Sequence, residues 1–165
     1  MKKCLYYTIP FSCALMLLVL AVPSYSQSQS TITEVDVRAL INRSDAATRK
    51  GDIAAMMASV AKDFKMKFAF TNPGSDKEVV QDLDREQLEF NARHNLRIRR
   101  AYKLERKNMK IKIYDDQTAM VTSEVYEVFT MKQGTLRGSS SEELFVALEN
   151  GKLVIKSANL RTRLY

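Results

Sequence analysis

Apolar residues recur at helical spacing, at Val37, Leu40, Ile41 and Ala47, in the stretch that follows Thr31-Ile32-Thr33-Glu34. A hydroxyl with a carboxylate three residues later satisfies the first free backbone N–H groups of a helix. Lys50-Gly51 then supplies a basic last turn and a glycine stop, so one amphipathic helix is expected to end near Lys50. Asp52 caps a second, shorter helix whose stripe of Ile53, Met56, Met57 and Val60 reads as core. At Phe64 the period changes to two. Phe64, Met66, Phe68 and Phe70 fall on one face and Lys65 and Lys67 on the other, the pattern of a half-buried strand. Asn72-Pro73-Gly74 turns the chain, and Lys77 to Leu83 is expected to pair back as a short strand. Asp84, with Gln87 three residues on, opens a third helix through Leu88, Ala92 and Leu96.

Four long strands follow. In the first, Tyr102 and Leu104 share one parity and Met109, Ile111 and Ile113 the other, so the alternation slips between Glu105 and Asn108. A slip of one residue turns every later side chain to the opposite face, and a β-bulge is the ordinary way to absorb it. Asp115-Asp116-Gln117 turns into a strand from Thr118 to Met131, Lys132-Gln133-Gly134 into one from Leu136 to Glu149, and Asn150-Gly151 into the last, from Lys152 to Leu164. Asn-Gly readily supplies the positive φ angles of a type I′ turn. Helices followed by an antiparallel meander read as an α+β domain, with the helices on one face of a curved antiparallel sheet. On the strand from Thr118 to Met131 one face carries Ala119, Val121, Val125 and Phe129 and the other Met120, Tyr126 and Val128, so a partner is expected over the second face.

Three segments carry a resemblance to a known family. Ala47-Thr48-Arg49-Lys50-Gly51-Asp52-Ile53-Ala54-Ala55-Met56-Met57 with Asp63-Phe64, Asp115-Asp116-Gln117-Thr118-Ala119-Met120-Val121, and Asn150-Gly151-Lys152-Leu153-Val154-Ile155 resemble the nuclear transport factor 2-like superfamily, which includes ketosteroid isomerase-like and SnoaL-like proteins. The likeness covers about residues 32–165. It implies a cone-shaped half-barrel of cystatin-like fold, a pocket between sheet and helices, and frequently a homodimer through the outer sheet face. Leu153 stands where many relatives carry a Trp, which removes a common aromatic wall.

The N-terminus changes the arithmetic of the chain, which has 165 residues and a formal charge of +7. Lys2 and Lys3 precede an almost uncharged stretch from Cys4 to Val22, and small residues stand at Ser24 and Ser26, the pattern of a secretory signal peptide cut before Gln27. The apolar run is shorter than the roughly 20 residues a spanning helix needs. The expected division is residues 1–26 as signal peptide, 27–30 as a short linker and 31–165 as one domain. The chain then meets a membrane only through the leader before cleavage and is exported, to the periplasm or outside the cell. Cleavage removes both cysteines, so the mature chain has no disulfide, and it removes two lysines, so the charge falls from +7 to +5.

What remains is sparse in chemistry. With a single His and no Cys in the mature chain, no metal site is expected, and no glycine cluster resembles a phosphate-cradling loop, so no cofactor is expected either. The candidate pocket residues are His94, the one imidazole; Glu124 and Tyr126, which share a strand parity; and Arg161 or Arg163 on the last strand. Ser139, Ser140 and Ser141 read as strand residues facing water or a partner. Arg93, Arg97, Arg99, Arg100, Lys103, Arg106, Lys107, Lys110 and Lys112 form a basic patch opposed within the run only by Glu105. Export and the scarcity of aromatic residues in the run exclude nucleic acid as the expected partner. The sequence thus points to non-catalytic binding of a small apolar or anionic molecule, or of a protein. The alternatives are a small lyase or isomerase using acid/base residues in the pocket, and a homodimeric structural or accessory protein.

Overall fold

The computed structural model describes residues 31–74 and 77–165, so the expected leader and linker lie outside the described residues. The chain runs α1 (Glu34–Lys50), α2 (Ile53–Ala58), β1 (Val60–Thr71), β2 (Glu78–Asp84), α3 (Arg85–Ile98), β3 (Arg99–Ile113), β4 (Thr118–Met131), β5 (Gly134–Glu149) and β6 (Lys152–Leu164). The six strands form one curved, unclosed sheet in the order β2-β1-β6-β5-β4-β3. The meander β3 to β6 is antiparallel, whereas β1 lies parallel to β6, so the sheet is mixed and not wholly antiparallel as expected. The three helices cover its inner face, as the α+β pattern predicts.

Local chemistry explains the element ends. Thr33, two residues later than Thr31, is the cap of α1, its hydroxyl accepting from the Asp36 backbone at 3.2 Å. Gly51 closes the helix at φ 74°, a left-handed conformation that favours glycine. Asp84 and Gln87 complete the capping box of α3, each side chain accepting from the other's backbone N–H at 2.9 Å. Val60, expected on the second helix, instead begins β1, because α2 stops at Ala58. Asn150 and Gly151 both take positive φ, 50° and 73°, as the β5–β6 turn requires. The bulge lies between Lys107 and Lys110, where the β3–β4 register shifts and Asn108 adopts φ 54°.

One half of the inner face is packed solid. Val37, Leu40 and Ile41 of α1 press on Val121, Leu144, Val146 and Ile155, all 6% exposed or less. Beyond the bulge, Met109, Ile111 and Ile113 of β3 face the same cluster. The other half is roofed by α2 and α3, and no residue of α3 is fully buried. The sheet and helices therefore stand apart there.

Candidate functional site

The gap is a cavity of about 620 Å³ between the inner sheet face and the three helices. Its apolar wall includes Phe64, Met66 and Phe68 of β1, Leu88, Ala92 and Leu96 of α3, and Leu160 and Leu164 of β6. On β5 the inward positions are small: Gly138 and Ser140 leave room where larger side chains would fill the space. Ser140 shares a buried hydroxyl contact of 2.7 Å with Thr162, so only Ser139 and Ser141 keep the outward placement expected of the serine run.

The polar part of the wall comes from strand parity. Upstream of the bulge, Tyr102, Leu104 and Arg106 of β3 turn inward, while Lys103, Glu105 and Lys107 turn outward and are exposed. On β4 the inward positions are Ser123, Val125, Glu127 and Phe129, and on β5 Ser140, Glu142 and Leu144. Ser123 stands opposite Glu142, Val125 opposite Arg106, and Phe129 opposite Tyr102. A long side chain on β3 therefore reaches the diagonal neighbour on β4.

Two polar groups result. The Arg106 guanidinium donates to both Asp45 oxygens, at 2.9 Å and 3.0 Å, and to Ser123 and Glu142; Ser123 donates to Glu142 at 3.1 Å. Asp45 hangs from α1, four residues beyond Ile41 on the same buried stripe. Burial opposes the charge on Arg106, but hydrogen bonds and attraction from the two carboxylates outweigh it, so its pKa is raised and the group stays cationic. The second group is the Tyr102 hydroxyl donating to Glu127. Burial pushes the Glu127 carboxyl above its ordinary pKa, against the Tyr102 hydrogen bond that holds it down. Burial also raises the Tyr102 phenol, reinforced by the Glu127 charge, so it remains a donor. Arg99 lies over the Tyr102 ring, 5.2 Å from its centroid, and donates to the Thr48 carbonyl at 3.1 Å.

None of the four residues expected in the pocket lines it. His94 is exposed on α3, because the helix turns Leu88, Asn91, Ala92, Asn95 and Leu96 to the cavity instead. Glu124 and Tyr126 do meet, hydroxyl to carboxylate at 3.0 Å, but on the outer face, beside Asn108 and Lys107. Arg161 is exposed and pairs with Glu78 at 2.9 Å; Arg163 is exposed too. The basic run is likewise not one face. Arg99 and Arg106 turn into the cavity wall, while Arg93 pairs with Glu89 on α3, and Arg97, Arg100, Lys103, Lys107, Lys110 and Lys112 are exposed.

Tyr102, Glu127, Asp45, Glu142 and Ser123 are not among the expected site residues, and Arg106 is expected only in the basic patch. Their signal was a polar side chain on an inward parity: Glu127 shares the face of Val125 and Phe129, and Glu142 that of Leu144 and Val146.

A curved, unclosed sheet with helices roofing an inner cavity defines the cystatin-like α+β fold of the nuclear transport factor 2-like proteins, and solved structures agree. A ketosteroid isomerase-like protein from Erwinia carotovora atroseptica matches with a TM-score of 0.58 at 14% identity, over 78% of this chain and 94% of that one. A cystatin-like-fold protein from Nostoc punctiforme matches at 0.56 and 17%, over 80% and 94%. A type 2 hexachlorocyclohexane dehydrochlorinase matches at 0.58 and 10%, over 76% and 82%. At these identities the likeness is one of fold. No protein-family model and no curated protein sequence matches the chain.

Proposed function

We propose that the cavity binds a small, largely apolar molecule whose polar group meets Tyr102 and Glu127. The observation that carries this reading is the Tyr102–Glu127 hydroxyl–carboxyl pair, set in a wall most of whose residues are apolar. Concave apolar sites with a few convergent polar groups are the usual form of small-molecule pockets, and about 620 Å³ is within their ordinary range. The Arg106 cluster serves as scaffold in this reading, since each guanidinium nitrogen is already bonded within the protein. The test is titration with the neutral apolar dye N-phenyl-1-naphthylamine, whose fluorescence rises in an apolar site. Saturable one-to-one binding is expected, weakened about tenfold or more by Ala92→Trp, which fills the cavity from α3. Unsaturable binding, or equal binding by the folded variant, would sink the proposal.

A second reading is favoured by one observation. A buried carboxyl with a raised pKa touching a phenolic hydroxyl is a pair able to move a proton, as a lyase or isomerase requires. Substrate screening decides it: a turnover lost in both Glu127→Gln and Tyr102→Phe supports catalysis, and one that survives both does not. The sequence also supports export, through its lysine-led apolar leader, and a mature N-terminus at Gln27 tests that. Homodimerisation through the outer sheet face is supported by the half-buried Met120, Tyr126 and Val128. A monomeric mass at high concentration would refute it.

A further inference from the structure

We infer that the molecule the cavity takes carries a protonated amine, not a carboxylate or phosphate. This rests on the binding proposal above and adds the sign of the ligand's charge.

The sign follows from a count of charges around the polar wall. Asp45, Glu127 and Glu142 face two guanidinium groups, those of Arg106 and Arg99. The two other charged side chains on the wall, Asp52 and Arg137, are of opposite sign and cancel, and the Tyr102 phenol is neutral. Carboxylates are therefore in excess, although the whole chain carries a formal charge of +7.

Donor and acceptor use points the same way. Arg106 has its Nε and Nη2 on Asp45 and its Nη1 on Ser123 and Glu142, so its charge is already answered within the protein. An anion entering the cavity would compete with two carboxylates for it. Arg99 is held by the Thr48 carbonyl and spread over the Tyr102 ring. Glu127 is different: it lines the cavity, and Tyr102 is the one hydrogen-bond partner of its carboxyl among the described residues. A buried carboxylate whose one donor is neutral, and whose neighbours Glu142 and Asp45 outweigh the attraction of Arg106, is under-compensated, and an ammonium group supplies the missing counter-charge through a charge-assisted hydrogen bond. Phe129, packed edge-on against Tyr102 with ring centroids 6.3 Å apart, adds an aromatic surface of the kind that attracts organic cations.

The experiment compares three probes with one skeleton and three head groups: 1-naphthylmethylamine, 1-naphthylmethanol and 1-naphthoate. Binding to the full chain is measured by isothermal titration calorimetry at pH 7, where the amine is protonated. The amine is expected to bind about tenfold or more tightly than the alcohol, with the naphthoate weakest. Glu127→Gln keeps the shape of the side chain and removes its charge, and should bring the amine-to-alcohol ratio within about threefold. The wild-type ranking stands as a test without any variant. Equal binding of amine and alcohol, or preference for the naphthoate, overturns the charge inference and leaves the binding proposal intact. Failure of all three probes to bind overturns both.

Discussion

Arg106→Met should unfold the protein far more readily than its conservative volume suggests. The guanidinium side chain is 8% exposed, and its partners Asp45 and Glu142 are each 10% exposed. Its loss leaves Asp45 without either of its bonds at 2.9 Å and 3.0 Å and leaves Glu142 only the Ser123 hydroxyl at 3.1 Å. Removing one partner of a buried ion pair costs about 3–5 kcal/mol, chiefly because the remaining charge is uncompensated. Against a total stability of about 5–15 kcal/mol that is a large share, and for a domain of this size it corresponds to a fall in Tm of roughly 10–20 °C. Urea unfolding at pH 7, followed by far-ultraviolet circular dichroism, measures it. The reasoning also requires rescue. Adding Asp45→Asn and Glu142→Gln to Arg106→Met removes both orphaned charges and should recover about half the loss or more. A single variant within about 1 kcal/mol of wild type would refute the argument, as would a triple variant no more stable than the single one.

Three further outcomes follow from the same geometry. Glu127→Gln should change the pH dependence of stability: a folded-state pKa raised above the unfolded value means the unfolded chain holds fewer protons between the two. Wild-type stability therefore falls as pH rises through that interval, and the variant, which lacks the titration, should lose this slope in thermal unfolding measured from pH 4 to pH 8. Leu40→Ala, at a side chain 2% exposed between α1 and the sheet, should cost about 2–5 kcal/mol by urea unfolding, and a cost under about 1 kcal/mol would contradict the close packing of that half. Gly51→Ala should destabilise by about 1–2 kcal/mol, since it forces a Cβ into the left-handed region. That Cβ would stand 2.6 Å from Leu96 Cδ1 and closer still to Arg99, so altered binding of the naphthyl probes should accompany the loss.

The fold was legible because its signals are local. Asp84-to-Gln87, Lys50-Gly51 and Asn150-Gly151 each specify an element boundary through bonds made within a few residues, and the structure has all three. Two local expectations differ from the structure for local reasons: Thr33, not Thr31, caps α1, and Val60 lies in β1, beyond a helix that ends at Ala58. The parallel pairing of β1 with β6 joins segments about ninety residues apart, and no turn chemistry announces it. The site was legible only in part, because polar residues that share a strand face, as Glu124 and Tyr126 do, need not share the face that looks inward.

Parity, anchored on the buried positions, answers that question. Val121 and Val125 are buried, so Ser123 and Glu127 must face the helices, and Glu124 and Tyr126 must not. On β3 the same argument runs through the bulge. Because Met109, Ile111 and Ile113 face the core, an unbroken strand would turn Lys103, Glu105 and Lys107 toward it and send Tyr102 and Arg106 outward. The bulge reverses this. It gives the solid half of the cone three apolar side chains and the hollow half Tyr102, Leu104 and Arg106 from the same strand. The positive φ of Asn108 is thus what sets the polar wall, and through it the pairing of Tyr102 with Glu127 and of Arg106 with Asp45 and Glu142.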